Sequence, residues 1–324
     1  MKGSFTLSVQ NNRVKYEFTI RRNITIIQGN SATGKTTLID LIREFQQNGA
    51  DSGINLSCEK KCVVLEGNDW EKTLSLYDEC IVFVDEGNRF IASTDFARQI
   101  KGSNNYYVLV TREGLENLPY SVEEIYGIHT SGKYAGLKQV YHEFYHIYSV
   151  PNDYSAKNVQ KILTEDSNAG FEFFSEVSRG KIECESAGGK SNIFQKLNET
   201  SDTVLVIADG AAFGSQINMV MQLVQRKKNC ILFLPESFEY LILQAELFKD
   251  SEIAKILGNP SDFIESKNFF SWEQFFTSVL IEKSSATHLK YAKKKLNSNY
   301  LSDTVKTKIL NSPAMKEISS ILTK

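Results

Sequence analysis

The sequence predicts an α/β fold: an N-terminal parallel sheet with a leading β-hairpin, then a second, smaller α/β domain and a helical C-terminus. Three observations carry that prediction. The apolar run Ile24-Thr25-Ile26-Ile27 leads through a glycine-bracketed loop, Gly29 to Thr36, straight into a helical pattern. Beyond residue 158, short β-branched runs alternate with amphipathic helical stretches, the rhythm of a parallel sheet with helical crossovers. After residue 250 the apolar spacing turns helical. At 324 residues the chain is too long for one ordinary domain. The expected division is 1–150, 151–250 and 251–324, the last part packing on the second domain.

Phe5–Val9 and Val14–Ile20 alternate apolar and polar residues around Gln10-Asn11-Asn12-Arg13, which predicts the hairpin. The loop that follows the next strand reads Gly29-Asn30-Ser31-Ala32-Thr33-Gly34-Lys35-Thr36-Thr37. Strand, Gly-x-x-x-x-Gly-Lys-Thr and helix in that order are the context of a Walker A phosphate-binding loop. Its glycines let backbone N–H groups turn toward a polyphosphate. Lys35 is then expected to reach the β- and γ-phosphates, and the Thr36 hydroxyl to hold Mg²⁺. The helix carries the stripe Leu38, Leu41, Ile42, Phe45 and should stop at Asn48-Gly49. Its positive N-terminus faces the phosphates.

Ile81-Val82-Phe83-Val84 reads as a strand buried on both faces, with Asp85-Glu86 at its C-terminal end. Asp85 is expected to complete the Mg²⁺ shell and Glu86 to polarise the attacking water. The strand Tyr106–Val110 ends in Thr111; a polar residue there resembles the sensor of additional-strand P-loop ATPases, which implies that it reads the γ-phosphate, against the plainer role of capping the strand. Arg89, Arg98 and Arg112 are candidates for an arginine finger across a subunit interface in a homo-oligomer. On these motifs residues 1 to about 150 resemble P-loop NTPases. The hairpin resembles the start of ABC-type ATPases, but Leu56-Ser57-Cys58-Glu59 is no Leu-Ser-Gly-Gly-Gln signature. No guanine-specifying motif is evident, so ATP with Mg²⁺ is the expected nucleotide.

His142-Glu143-Phe144-Tyr145-His146 matches the HExxH zinc-protease pattern on a plausible helix, with Glu165 at the distance of a third ligand. The aromatic density of Tyr141–Tyr148 argues instead for a packed helix without metal.

In the second domain the expected elements are strands at Val159–Thr164, Lys181–Glu185, Thr203–Ala208 and Cys230–Leu234. Helices are expected at Phe171–Val177, Asn192–Leu197, Ile217–Gln225 and Phe238–Phe248. Glu165-Asp166, Asp209 and Glu236 then fall at strand C-termini, where such sheets place their sites. With the Gly-rich turn Ser186–Lys190, this pattern resembles a TOPRIM domain. The resemblance implies an acid/base role for Glu165 and a metal role for Asp209, with Glu236 or Glu239 as an extra ligand. It also departs from the family, because Ala211 stands where the second aspartate of Asp-x-Asp belongs. The plain alternative makes Asp209 a helix cap and Glu165 a surface carboxylate. Ser271-Trp272-Glu273-Gln274 has the form of a capping box ahead of the apolar stripe Trp272, Phe275, Phe276, Val279, Leu280.

Net charge of −2 and a pI near 6.2 give the whole chain no general attraction to nucleic acid. From Lys283 onward, however, Lys290, Lys293, Lys294, Lys295, Lys306, Lys308, Lys316 and Lys324 face only Asp303 and Glu317. A solvated face is the plain reading of that tail, and a phosphate-contacting surface the sharper one. The five scattered cysteines fit a reducing cytosol, with Cys58 and Cys62 as free thiols. No stretch suits a membrane helix or a signal peptide, so a cytoplasmic location is expected. An ATPase joined to a TOPRIM domain resembles OLD-family and other phage-defence or mobile-element proteins of bacteria. The expectation is an Mg²⁺-dependent ATPase whose nucleotide state controls a domain acting on or sensing nucleic acid. The alternative is a non-catalytic nucleotide-dependent binding protein with a degenerate second site.

Overall fold

The computed structural model describes residues 1–29, 33–132, 138–148, 158–227 and 229–323. The chain forms two compact units: Met1–Tyr148 with Asn259–Phe270, and Ser149–Gly258 with Ser271–Lys324. The break expected at Pro151-Asn152-Asp153 lies outside the described residues.

In the first unit β1 (Phe5–Gln10) and β2 (Val14–Ile20) pair antiparallel, Phe5 opposite Ile20 and Gln10 opposite Lys15. The Asn11 side chain closes their turn by accepting the N–H groups of Arg13 and Val14 at 2.8 and 3.0 Å. The alternation works as read: Phe5, Leu7, Val9, Tyr16, Phe18 and Ile20 are all buried. Next come β3 (Ile24–Ile27), α1 (Lys35–Asn48), β4 (Asn55–Ser57), β5 (Lys61–Val64) and α2 (Trp70–Leu74). They are followed by β6 (Cys80–Val84), α3 (Thr94–Ile100), β7 (Tyr106–Val110), β8 (Ile125–Thr130) and β9 (Val140–His146). One nine-stranded sheet results, in the order β4-β1-β2-β9-β8-β3-β7-β6-β5. Strands β8, β3, β7, β6 and β5 run parallel, whereas β8–β9, β1–β2 and β1–β4 are antiparallel. The sheet is therefore mixed, because the hairpin joins it through β9 instead of standing ahead of it. Helix α1 buries Leu38, Leu41 and Ile42 and ends where Gly49 N–H bonds the Phe45 carbonyl. The segment Asn259–Phe270 is tied into this unit by Gly3 N–H to Ser261 O (2.7 Å) and Ser266 N–H to Met1 O (2.9 Å).

The HExxH stretch is strand β9, not a helix. On a strand His142, Phe144 and His146 share one face. Each stacks or packs on an aromatic neighbour: Tyr16 (4.5 Å between centroids), Phe18 (4.0 Å) and Tyr126 (4.7 Å). At about 3.3 Å per residue the two histidines stand roughly 13 Å apart along the strand. Zinc needs both nitrogens within about 2.1 Å of itself, so this pair cannot share an ion. Glu143 points to the other face, where its carboxylate accepts from Ser131 at 2.6 Å.

The second unit holds β10 (Lys161–Thr164), α4 (Ala169–Val177), β11 (Glu183–Ser186), α5 (Lys190–Glu199), β12 (Val204–Ile207), α6 (Gly214–Lys227), β13 (Cys230–Phe233) and α7 (Phe238–Gln244). All its strand pairs are parallel, in the order β11-β10-β12-β13. The order reverses between β10 and β12, so a crevice opens at their carboxyl ends. Helices α8 (Ser251–Gly258), α9 (Trp272–Ser284), α10 (Asp303–Leu310) and α11 (Lys316–Thr323) follow. Ser271 caps α9 by accepting the Gln274 N–H, as its capping-box form predicts. The stripe Trp272, Phe275, Phe276, Val279, Leu280 is buried, Phe276 meeting Tyr240 of α7 at 4.9 Å. Among the described residues no disulfide forms, and no helix is long and apolar enough to cross a membrane.

Candidate functional site

Strands β3, β7 and β6 end in one row, with Ile27 beside Val110 and Leu109 beside Val84. Gly29, Thr111 and Asp85 therefore emerge along the same carboxyl edge of the sheet. Of the loop between β3 and α1, Asn30, Ser31 and Ala32 lie outside the described residues. Gly29 and Gly34 have φ of 139° and 93°, and α1 starts at Lys35 with no side-chain cap and no acidic residue in its first turn. The Gly34 carbonyl accepts both Leu38 N–H (3.0 Å) and the Tyr16 hydroxyl (2.9 Å). A Cβ at Gly34 would lie 2.7 Å from Tyr16 Oη and 3.0 Å from His142 Cε1, so only glycine fits. Burial pushes the Tyr16 phenol up to about 12, which keeps it a donor to that carbonyl.

Lys35 is buried and folds back over the loop, its Nζ donating to Gly29 O (2.8 Å) and Thr33 Oγ1 (3.2 Å). Burial holds its ammonium below the ordinary lysine value, opposed by the charges of Glu86 and Asp85 and reinforced by Arg112. Thr36 and Thr37 are exposed at the first turn of α1. Asp85 turns its carboxylate back to the Glu86 N–H (2.8 Å). Glu86 is gripped by Arg112 in a two-pronged pair, Nε to Oε2 at 3.0 Å and Nη2 to Oε1 at 2.7 Å. That grip keeps the Glu86 carboxyl below the usual carboxylate range. The buried Thr111 hydroxyl is engaged in a local turn, donating to Glu113 O (3.0 Å) and accepting Glu113 N–H (3.1 Å). Of the arginine candidates, Arg112 pairs with Glu86, Arg98 with Asp95 on the α3 surface, and Arg89 lines the same cleft as Glu86. That cleft, about 670 Å³, is the size of a small-molecule site.

In the second unit Thr164 and Ile207 stand side by side at the ends of β10 and β12. Glu165 and Asp209 follow them, and Glu165 Oε2 accepts the Asp209 N–H at 3.1 Å. Asp209 Oδ1 accepts the Phe238 N–H at 3.2 Å. A Cβ at Gly210 would stand 2.4 Å from Leu234 O, so the turn after Asp209 is glycine by necessity. The Gly-rich turn abuts the same place, with Gly189 N–H on Glu165 O at 2.8 Å. A cavity of about 40 Å³, room for about three waters, lies between Glu165, Asp209, Glu239, Tyr291 and Lys293. Burial lifts the Glu165 carboxyl to about 7, and pushes Asp209 well above its ordinary value with help from Glu273, Glu239 and Glu165.

No protein-family model matches the chain, and no curated protein matches it.

Of the expected extra ligands, Glu236 does not line the cavity; its carbonyl accepts the Ala211 N–H at 3.2 Å. Glu239, on α7, lines it instead. Its Oε1 accepts the Tyr291 hydroxyl at 2.8 Å, and its buried Oε2 has no hydrogen-bond partner among the described residues. Lys293, read in the sequence as one lysine of a solvated tail, is half-buried and ion-pairs with Glu273. No local pattern announces it, since the contact spans chain from α9 to the loop after it. Among the described residues no group of three or more His, Cys, Asp or Glu is placed to hold a metal ion. Ala211 stands where the TOPRIM resemblance places a second aspartate, so Glu165 and Asp209 are one carboxylate short of that ligand set.

Proposed function

We propose that the chain is an ATP-binding, Mg²⁺-dependent ATPase whose nucleotide state controls the second, TOPRIM-like unit, which acts on or senses nucleic acid. The observation that carries this reading is the row of β3, β7 and β6 ends, which gathers Lys35, Asp85 and Glu86 at one edge of the sheet around an uncapped helix N-terminus. On this reading Lys35 leaves the Gly29 carbonyl for the β- and γ-phosphates, and α1 N–H groups receive the anion. Thr36 and Asp85 would hold Mg²⁺, which neutralises phosphate charge. Glu86 takes the proton of the attacking water once Arg112 releases it, and the freed guanidinium is then available to the γ-phosphate. A bacterial defence or mobile-element setting, the Lys-rich tail as nucleic-acid contact and a homo-oligomer belong to the same proposal.

Ala211 favours one variant of this reading, in which the second unit recognises its partner and does not cleave it. Calorimetric titration of ATP·Mg²⁺ tests the nucleotide half. Wild type should bind one equivalent per chain, and Lys35→Ala at least about tenfold more weakly. Equal affinity in both would remove the proposal.

A further inference from the structure

The cavity at the carboxyl ends of β10 and β12 has two kinds of wall. Glu165, Asp209 and Glu239 bring carboxyls to it, and Phe171, Phe174 and Phe238 bring aromatic rings. Its lining grades from half-buried Glu165 and Phe171 to Glu239 and Tyr291, which are 1% and 3% exposed. The donors along this wall are already engaged. The Tyr291 hydroxyl goes to Glu239 Oε1 (2.8 Å), the Phe238 N–H to Asp209 Oδ1 (3.2 Å) and the Asn168 amide to Asp166 Oδ2 (2.6 Å). The Lys293 ammonium pairs with Glu273, which is outside the lining. Glu239 Oε2 is buried and has no hydrogen-bond partner among the described residues. A buried carboxylate oxygen left in this state marks the place of a donor that the chain itself does not provide.

We propose that this cavity binds a primary ammonium group on a short alkyl chain, the ammonium donating to Glu239 Oε2 and the chain lying against Phe171, Phe174 and Phe238. An ammonium carries three donors and no acceptor, which complements a wall of carboxyls whose own donors are spent. Aromatic rings cover an apolar chain and attract a cation to their faces. The space of about 40 Å³, room for about three waters, accommodates the ammonium and its first carbons. A hard divalent ion asks for about six oxygens around it, and here rings occupy one side of the space. Among the described residues no group of three or more His, Cys, Asp or Glu is placed to hold such an ion. Burial lifts the Glu165 carboxyl to about 7 and raises Asp209 as well, so an entering cation takes the place of protons. The inference rests on the second unit alone and does not depend on the nucleotide reading of the first.

Saturation-transfer NMR on the full chain, titrated with butylammonium chloride, tests this. Wild type should transfer saturation to butylammonium, and Glu239→Gln should bind it at least about tenfold more weakly through the lost charge-assisted hydrogen bond. On wild type, 1-butanol (the same chain without charge) and tetramethylammonium (a cation without N–H) should also bind at least about tenfold more weakly than butylammonium. Nα-acetyl-lysine methylamide carries the same ammonium on a peptide unit. If it binds more tightly than butylammonium the source is a lysine side chain, and if more weakly a free amine. The proposal is overturned by no transfer to butylammonium, by equal affinity for butylammonium and 1-butanol, or by a natively folded Glu239→Gln chain with wild-type affinity. Displacement of butylammonium by an equimolar amount of Mn²⁺ overturns it too. Should Glu239→Gln lose its native circular dichroism, the comparison of the three probes on wild type still decides.

Discussion

Gly34 shows how narrowly the loop between β3 and α1 is specified. Its φ of 93° and the 2.7 Å approach to Tyr16 Oη mean that even a methyl group must strain the backbone and displace a buried ring. Left-handed strain at a non-glycine residue costs about 1–3 kcal/mol. Gly34→Ala should therefore lower the melting temperature of the first unit by several degrees, at roughly 2–4 °C per kcal/mol. Differential scanning calorimetry showing an unchanged transition would contradict the geometry. Glu165 gives a second prediction at this scale. Its carboxyl rises from 4.5 to about 7 on folding, so between those values the folded state binds more protons than the unfolded one. Stability contributed by the neutral form is thus complete below pH 4.5 and declines as pH climbs toward 7. Urea midpoints of the second unit should fall over that interval, and Glu165→Gln should flatten the slope. A midpoint that rises through the interval equally in both chains would contradict it.

At the scale of elements, strand β9 carries the lesson about what a sequence conceals. A histidine pair four residues apart sits on one face of a helix and equally on one face of a strand, so spacing alone does not separate them. The aromatics Tyr141, Phe144 and Tyr145, which suggest a packed helix, suit the pleated form as well, and the register of His142 beside Tyr16 sets it. Ring stacking, not metal, then accounts for the histidines. Dialysis against a zinc chelator should leave the melting temperature unchanged, while His142→Ala should cost about 1 kcal/mol through the lost stack on Tyr16. A transition that falls on chelation and returns with zinc would restore the metal reading. The elements that were legible share a cause: β3 with α1, β6 with Asp85-Glu86, and the β–α alternation from β10 to α7 are all encoded by neighbours in sequence. The short strands β4 and β5, and the joining of the hairpin to the sheet through β9, depend on partners far along the chain.

Over the whole molecule, a mixed nine-stranded sheet and a parallel four-stranded sheet each place acidic residues at their carboxyl edge. In the first, Asp85 and Glu86 stand with Lys35, and sequence spacing already named all three. In the second, Glu165 and Asp209 were readable from their strands, whereas the sealing of Glu239 against Tyr291 was hidden because it follows from tertiary packing and leaves no local mark. The two sites differ chemically: one sets Lys35, Asp85 and Glu86 beside an uncapped helix start, the other encloses the carboxyls of Glu165, Asp209 and Glu239. On the proposed function, turnover belongs to the first unit. Steady-state ATP hydrolysis by wild type, Lys35→Ala and Glu86→Gln tests that assignment most directly. Glu86→Gln should bind ATP·Mg²⁺ as wild type does but turn over about 10² to 10⁴-fold more slowly, and Lys35→Ala about 10² to 10³-fold more slowly. A wild-type rate no faster than that of Lys35→Ala, or a Glu86→Gln rate equal to wild type, would contradict it.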